Sequence, residues 1–174
     1  MEETPVEISL ERLLLSRDAR ARRQRAWMDR YPERILICLT VILPGPVKRD
    51  GRSLFVAGRG VAAVRDRFHP LEEECLDLET GFEGYFVVEG DLLEVKETCC
   101  DIEDSDPVGR LMDIDVLERV GESVVPVSRE QLGRESRRCL LCGRPARECM
   151  RAHSHTPVEI SRKIDEMVDF ALKL

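Results

Sequence analysis

Two aspartates stand one residue apart, at Asp113 and Asp115, within the otherwise mostly apolar segment 111–117. If this segment is a strand, both carboxylates lie on the same face, because side chains alternate along a strand. Paired carboxylates suit one or two Mg²⁺ ions that hold the triphosphate of a substrate. The spacing therefore indicates nucleotidyl-transfer chemistry. Acidic chains also carry such pairs as solvated edge residues, and the spacing alone does not separate the two interpretations.

The two residues at the start of this segment extend the interpretation. Gly109 has no side chain and would let a phosphate approach the backbone closely. Arg110 carries a planar guanidinium that suits a pair of phosphate oxygens. The alternative for Arg110 is an exposed arginine that offsets the local negative charge. Asp106-Pro107, just upstream, marks a turn into the strand.

A second group of residues with possible chemistry lies near the C-terminus. Cys139 and Cys142 form a Cys-x-x-Cys, Cys149 follows seven residues later, and His153 and His155 come next. Three thiolates and one imidazole are a common structural zinc set that leaves no open coordination position. The gap from the second to the third cysteine is short for a zinc ribbon, and the alternative is a reduced loop whose thiols never meet.

The elements that position these residues follow from the periodicity of apolar side chains. The pattern predicts helices at 8–30, 53–68, 91–103 and 157–174, and strands at 35–43, 85–89, 113–120 and 123–127. This order predicts an α+β fold with helices packed on a mixed sheet, as in nucleotidyltransferase-like palms, plus a small Cys-rich C-terminal knuckle and helix. We expect a catalytic domain at 1–132 and a C-terminal extension at 133–174 packed on the same domain.

The first predicted helix has two distinct faces. Leu10, Leu13 and Leu14 form an apolar stripe that we expect to face the core. Ser16, Arg20, Arg23 and Trp27 share another face, which is either solvated or grips a polyphosphate and stacks a base. Lys48 ends the loop Pro44-Gly45-Pro46-Val47-Lys48 after the first strand, where it suits a phosphate contact or simply solubility.

Composition and charge exclude some classes of protein. The 174 residues suffice for one domain with a small appendage, and their net charge of −7 argues against general binding to nucleic acid or anionic membranes. No apolar run reaches membrane-spanning length and the N-terminus lacks a secretory pattern, so we expect a cytoplasmic protein. The seven cysteines are therefore expected to be reduced thiols or metal ligands rather than disulfides.

Four ordered motifs together resemble a known family. They are Leu14-x-Ser16-Arg17-Asp18-x-Arg20-x-x-Arg23-Gln24-x-x-Trp27, Pro44-Gly45-Pro46-Val47-Lys48, Pro107-Val108-Gly109-Arg110-Leu111-x-Asp113-Ile114-Asp115-Val116, and Arg138-Cys139-Leu140-x-Cys142 with Cys149. The chain is similar over nearly its full length to the holo-acyl-carrier-protein synthases of citrate lyase, the apo-citrate lyase phosphoribosyl-dephospho-CoA transferases.

The resemblance implies an activity and its partners. Such enzymes transfer phosphoribosyl-dephospho-CoA from 2′-(5″-triphosphoribosyl)-3′-dephospho-CoA to a serine of the apo citrate lyase acyl carrier subunit, releasing diphosphate. It implies that Asp113 and Asp115 hold Mg²⁺ on the triphosphate, while Arg110 neutralises a phosphate oxygen and Gly109 permits close approach. Lys48, Arg17, Arg20 and Arg23 are then expected to bind the diphosphate or the CoA-like tail. The family pattern also favours His155 over His153 as a zinc ligand.

Two departures and two alternatives accompany this interpretation. Gly109-Arg110 replaces the Gly-Ser of usual palms, and the third palm carboxylate is unassigned among Glu94, Glu97, Glu118 and Glu122. One alternative is a zinc-knuckle protein that docks a carrier or lyase subunit without chemistry. The other is a nucleotidyltransferase for a related substrate, such as the malonate decarboxylase carrier or a tRNA, and the acidic charge disfavours the tRNA.

Overall fold

A computed structural model describes residues 6–174; the first five residues of the predicted catalytic domain lie outside the described residues. The helices are α1 (Leu10–Arg30), α2 (Gly51–Phe68), α3 (Leu92–Ser105), α4 (Ala146–Arg151) and α5 (Pro157–Ala171). The strands are β1 (Ile35–Val41), β2 (Glu72–Leu78), β3 (Gly81–Val88), β4 (Met112–Val120) and β5 (Ser123–Pro126). None of the helices in residues 6–174 is both long and apolar enough to cross a membrane.

The α+β class is confirmed, but the prediction of a mixed sheet is wrong. The strand order is β2-β3-β1-β4-β5, and every neighbouring pair is antiparallel. The helical connection from β3 through α3 to β4 passes over β1, and the connection from β1 through α2 to β2 passes over β3. Each pair of strands joined by a helix therefore runs parallel but has an antiparallel strand inserted between its members.

The main core lies on one face of the sheet, beneath α2 and α3. Ile37, Leu39, Phe86 and Ile114 project from the three central strands and are completely buried there. From the C-terminal extension, α5 adds residues to the same core: Ile164, Val168 and Ala171. The extension thus packs on the same hydrophobic core as the sheet, while the boundary at residue 132 stays a prediction.

Helix α1 covers the opposite face of the sheet, and it does so in an unexpected orientation. Its N-terminus is capped by Ser9, whose hydroxyl accepts a hydrogen bond from the Arg12 backbone N–H. Leu10 and Leu14 are 71% and 50% exposed, so the prediction that the leucine stripe faces the core is wrong. The sheet face below the first half of α1 is itself polar, and the polar row of the helix packs against it.

The sequence patterns also missed two elements. Strand β2 carries Glu72, Glu73, Glu74 and Asp77, and this acidity masked the alternation of its half-buried residues. It forms a hairpin with β3 and lies at the edge of the sheet, where charged side chains are common. The short helix α4 lies inside the Cys-rich segment and carries Cys149.

Candidate active site and metal centre

Asp113 and Asp115 lie on the face of β4 that α1 covers. In the register of the sheet, Asp113 is opposite Thr40 and Asp115 is opposite Cys38, both on β1. The intervening Ile114 points the other way and is completely buried in the main core. Burial of the alternate residues therefore fixes which face the two carboxylates occupy. We call Asp113 and Asp115 the acid pair.

Side chains hydrogen-bond the backbone of β4 next to the acid pair, on the edge where β5 does not reach. β5 pairs with β4 from Leu117 onward, which leaves the preceding residues of β4 at an open edge. From α3, Glu103 Oε1 accepts a hydrogen bond from Ile114 N at 2.7 Å, and Lys96 Nζ donates to Ile114 O at 3.0 Å. Arg137 donates to Met112 O at 3.0 Å. These bonds satisfy the exposed edge and hold the acid pair in register.

The acid pair is an electrostatically strained arrangement. Arg137 lies 3.0 Å from an Asp113 carboxylate oxygen. Among residues 6–174, no side chain donates a hydrogen bond to Asp115; burial, and then the like charge of Asp113, raise its pKa to about 6. A divalent cation between the carboxylates would relieve both effects, so the residues present fit a Mg²⁺ site.

The predicted basic residues lie on α1 and on the loop after β1, and they form two groups. Lys48 donates to Leu43 O at 2.7 Å, and its pKa is lowered by burial and by the charge of nearby Arg17. Arg20 and Arg23 instead bind the carboxylate of Glu83 on β3. Lys48 and Arg17 thus form one cationic pair beside the loop after β1, and Arg20 and Arg23 form another over β3.

The loop that carries Lys48 is fixed to the start of α1. Ile8 N donates to Pro46 O at 2.9 Å, and Glu7 forms an isolated antiparallel bridge with Val47. A surface groove of about 570 Å³ between α1 and the β2–β3 turn includes Arg23 but not the acid pair. Arg23 therefore also borders a space on the β2–β3 side of the helix.

Gly109 and Arg110 lie in a 3₁₀ turn that leads directly into β4. Gly109 is buried, and a Cβ there would collide with the backbone of Glu103, so close packing against α3 explains the glycine. Arg110 donates to the Arg138 carbonyl oxygen, and its pKa is lowered by burial and then by the charge of Arg137. The turn thus connects β4 to the C-terminal segment, and a phosphate contact of either residue stays a prediction.

The cysteines and histidine predicted as metal ligands do meet. One ligand atom from each of Cys139, Cys142, Cys149 and His155 lies within 4.8 Å of the others. His153 is outside this set and exposed. The His155 Nε2 atom is buried without a hydrogen-bond partner among the described residues. Buried polar atoms normally have a partner, and a bound metal ion would provide one for this nitrogen. We call residues 138–155 the cysteine knuckle.

The spacing of the knuckle thiols and the lowered pKa of one of them favour binding of a cation. The Cys142 and Cys149 sulfurs are 3.4 Å apart. Hydrogen bonds from Arg144 lower the pKa of Cys142 to about 5, and burial raises that of Cys149 to about 11. The turn is closed by Cys139 N, which donates to Arg144 O at 2.6 Å, and by Gly143 at a φ of 70°. The cluster can therefore bind a metal ion such as zinc.

Four residues that sequence reasoning did not single out support the acid pair or the arginines. They are Glu83, Lys96, Glu103 and Arg137. A glutamate within the apolar strand run that ends at Val88 is a signal that could have pointed to Glu83. The third palm carboxylate stays unassigned, since Glu94 and Glu97 lie on α3, across the sheet from the acid pair.

Comparison with known proteins places the chain in a family. The model of the apo-citrate lyase phosphoribosyl-dephospho-CoA transferase family matches residues 8–170. A protein of that name from Citrobacter koseri is 32% identical over 166 residues, covering 92% of this chain and 88% of the relative. Proteins of the same name from Escherichia coli O1:K1 and Shigella boydii serotype 18 are each 32% identical over 167 residues, covering 93% of this chain and 89% of theirs.

The match extends over both the sheet and the cysteine knuckle, so it includes every candidate site residue. By class the protein is a transferase. The chain belongs to the apo-citrate lyase phosphoribosyl-dephospho-CoA transferase family.

Proposed function

We propose that this chain transfers the phosphoribosyl-dephospho-CoA group from triphosphoribosyl-dephospho-CoA to a serine of the apo citrate lyase acyl carrier subunit. In this reaction the serine oxygen bonds to the α-phosphorus, the bond to the bridging oxygen breaks, and diphosphate leaves. The chemistry is nucleotidyl transfer, with a nucleotidyltransferase-like palm as its scaffold. The observation that carries the proposal is the acid pair on one face of β4, in a chain of this family.

The acid pair would hold Mg²⁺. A bound Mg²⁺ would stabilise negative charge on the reacting phosphoryl group and on the departing diphosphate. Asp113 and Asp115 would supply the oxygen ligands, and the edge contacts of β4 keep both carboxylates on one face. Arg137 at 3.0 Å from Asp113 keeps a positive charge beside the pair before substrate binds.

The remaining predicted residues would bind the polyphosphate and the CoA-like tail. Lys48 and Arg17 lie together next to the loop after β1, where two cations can neutralise a multiply charged phosphate chain. Arg110 would add a further cation at the start of β4, and Gly109 would allow the chain to turn close to α3. Arg20 and Arg23 complete the basic side of the site beneath α1.

The cysteine knuckle would hold a structural Zn²⁺ through Cys139, Cys142, Cys149 and His155. A Cys₃His set closes the coordination sphere and leaves no position for a substrate. The partnerless His155 nitrogen and the low pKa of Cys142 support this assignment. Zinc in this site would stabilise the segment that presents Arg137 to β4.

The transfer is tested by intact-mass measurement of the apo carrier. The carrier is incubated with this protein, triphosphoribosyl-dephospho-CoA and Mg²⁺, and we expect a mass gain equal to one phosphoribosyl-dephospho-CoA group. Asp113→Asn and Asp115→Asn should each lower the rate by about 100-fold or more, because transition-state charge loses its stabilisation. Asp169→Asn, at an exposed position of α5, is the matched control and should retain the wild-type rate.

The outcomes separate the alternatives. A folded wild-type protein that fails to modify a carrier known to be competent would contradict the citrate lyase assignment. Modification of the malonate decarboxylase carrier in the same experiment would then favour a related transferase. Equal rates for wild type and both acid-pair variants would show that the acid pair takes no part in the reaction.

A further inference from the structure

Glu83 is a buried carboxylate directly beneath α1. Its side chain is 1% exposed, and it lies on β3 in the same register row as Thr40 and Asp113. Arg20 Nε donates to Glu83 Oε1 at 3.0 Å, and Arg23 donates to Oε2 at 2.8 Å. Tyr85 OH donates to the same Oε2 at 2.5 Å. Both carboxylate oxygens therefore already have partners.

These contacts decide what Glu83 can do. Two guanidinium groups and a phenol occupy three of the roughly four acceptor sites of this carboxylate, and the two adjacent positive charges disfavour a metal ion there. Glu83 is also separated from Asp113 by the whole of β1, a backbone distance of about 10 Å for two strand spacings. Burial and the hydrogen bond to Glu83 raise the pKa of the Tyr85 phenol, so the phenol remains a donor. Glu83 is thus suited to hold other groups rather than a ligand.

Glu83 holds Arg20 on the sheet face that carries the acid pair. Oε2 is held by Arg23 and Tyr85, and this leaves Oε1 aimed at Arg20. Burial raises the pKa of the Cys38 thiol, whereas the positive charge of Arg20 acts to lower it, and Cys38 is the register partner of Asp115. Arg20 therefore contacts the same face of the sheet that carries the acid pair. Only its Nε is used by Glu83, and the remaining guanidinium N–H groups of this 26%-exposed side chain are available for a phosphate.

We propose that Glu83 is a positioning residue that fixes Arg20 as a phosphate ligand on the sheet face that carries the acid pair. The inference rests on the proposed function for its physiological substrate, but phosphate binding can be measured without the reaction. A long arginine side chain loses considerable rotamer freedom on binding, and a prior buried ion pair removes much of that cost. Loss of Glu83 should therefore weaken phosphate binding through Arg20.

Two measurements test the role of Glu83. Calorimetric titration with inorganic tripolyphosphate and Mg²⁺ should give a Kd about 10-fold weaker for Glu83→Gln, equivalent to one charge-assisted hydrogen bond. In the transfer assay the same variant should raise KM for triphosphoribosyl-dephospho-CoA by about 10-fold and leave kcat within about threefold of wild type. The matched control is Glu79→Gln, which removes the exposed 2.5 Å ion pair between Glu79 and Arg12, a residue of α1 like Arg20. It should change neither the Kd for tripolyphosphate nor the KM.

The double variant distinguishes positioning from an independent structural role. If Glu83 acts through Arg20, Arg20→Ala and Arg20→Ala/Glu83→Gln should have the same Kd for tripolyphosphate. Additive weakening, or an Arg20→Ala variant that binds like wild type, would overturn the proposal. Glu83→Asp retains the charge and provides a second variant if Glu83→Gln does not fold. It should bind tripolyphosphate with an affinity between those of wild type and Glu83→Gln, because its shorter side chain holds Arg20 less well. Wild-type affinity of Glu83→Asp would contradict the positioning role. A wild type that binds tripolyphosphate but transfers nothing would contradict the proposed function alone.

Discussion

At the scale of single residues, the acid pair contains one carboxylate, Asp115, whose charge destabilises the fold when no cation is present. Asp115 is largely enclosed by α1 and the sheet, and Asp113 is its nearest like charge. A raised carboxyl pKa in the folded state means that the ionised group is less favourable there than in the unfolded chain. At neutral pH, above this pKa, the ionised Asp115 therefore lowers the free energy of unfolding.

The first expected consequence concerns Asp115→Asn. Removing this charge should raise the free energy of unfolding in metal-free buffer at neutral pH, although we expect the same variant to lose activity. Denaturant unfolding followed by circular dichroism measures the change, with Asp169→Asn as the control. Mg²⁺ should stabilise wild type but not Asp115→Asn. A variant less stable than wild type in metal-free buffer would show that Asp115 makes a favourable contact in the fold.

Residue spacing made some of these side chains predictable and left others hidden. Asp113 and Asp115 share a face by strand alternation, and the cysteine positions follow from a Cys-x-x-Cys spacing, so both sets come from local sequence. Arg137 and Glu83 act through contacts with residues on distant elements. No local pattern specifies such pairs, because they depend on which strands and helices become neighbours.

At the scale of elements, the open edge of β4 is held by side chains of α3. Glu103 is 2% exposed and accepts from Ile114 N, while Arg129 and Arg137 bind its carboxylate. Burying a charge is tolerated only when it is paired and hydrogen-bonded. The same carboxylate therefore joins α3, β4 and the segment leading into the cysteine knuckle.

The second expected consequence concerns Glu103→Gln. It removes the buried negative charge and takes one of two carboxylate partners from each of Arg129 and Arg137, which should lower the free energy of unfolding by about 3 kcal/mol. Glu97→Gln on the same helix is the matched control, since Glu97 is 60% exposed and lies 3.4 Å from Arg134. It should change stability by less than about 0.5 kcal/mol. Urea unfolding of both variants measures the difference, and equal effects would contradict a special role of Glu103.

The boundaries of most elements followed from periodicity, but the orientation of α1 did not. A leucine stripe normally faces a core. Here the sheet beneath α1 carries the buried carboxylate of Glu83, and two arginines of the helix pair with it, which leucines could not do. The antiparallel sheet was not predicted for a similar reason. A strand inserted between two strands that a helix connects, as β1 is between β3 and β4, produces no pattern in the local sequence.

At the scale of the whole molecule, the cysteine knuckle is connected to the acid pair by neighbouring arginines. Arg137 contacts Asp113 and Met112 O, and the Arg138 carbonyl accepts from Arg110. The knuckle begins at Arg138, one residue after Arg137. The knuckle and the start of β4 are therefore joined by the backbone and by the contacts of Arg137 and Arg110.

The third expected consequence concerns metal removal. Purified protein should contain about one zinc per chain by elemental analysis, and a strong chelator should lower both Tm and the transfer rate. Cys142→Ser should lose the zinc, whereas Cys75→Ser, at an exposed cysteine of β2 outside the cluster, should keep it. Full zinc content in Cys142→Ser, or none in wild type grown with zinc, would contradict a zinc-binding knuckle.

The aromatic stack at the end of α1 provides a direct optical signal. The chain has one tryptophan, and the Trp27 ring lies between Tyr31 and Tyr85, with centroid distances of 5.8 Å and 6.5 Å. Tyr85 is also the phenol that binds Glu83. Movement of α1 away from the sheet would separate the Trp27 ring from the Tyr85 ring of β3 and admit water to the indole. The fluorescence of this single tryptophan, excited at a wavelength that tyrosine does not absorb, therefore reports whether the arginine-bearing helix is packed on the sheet, without any added label.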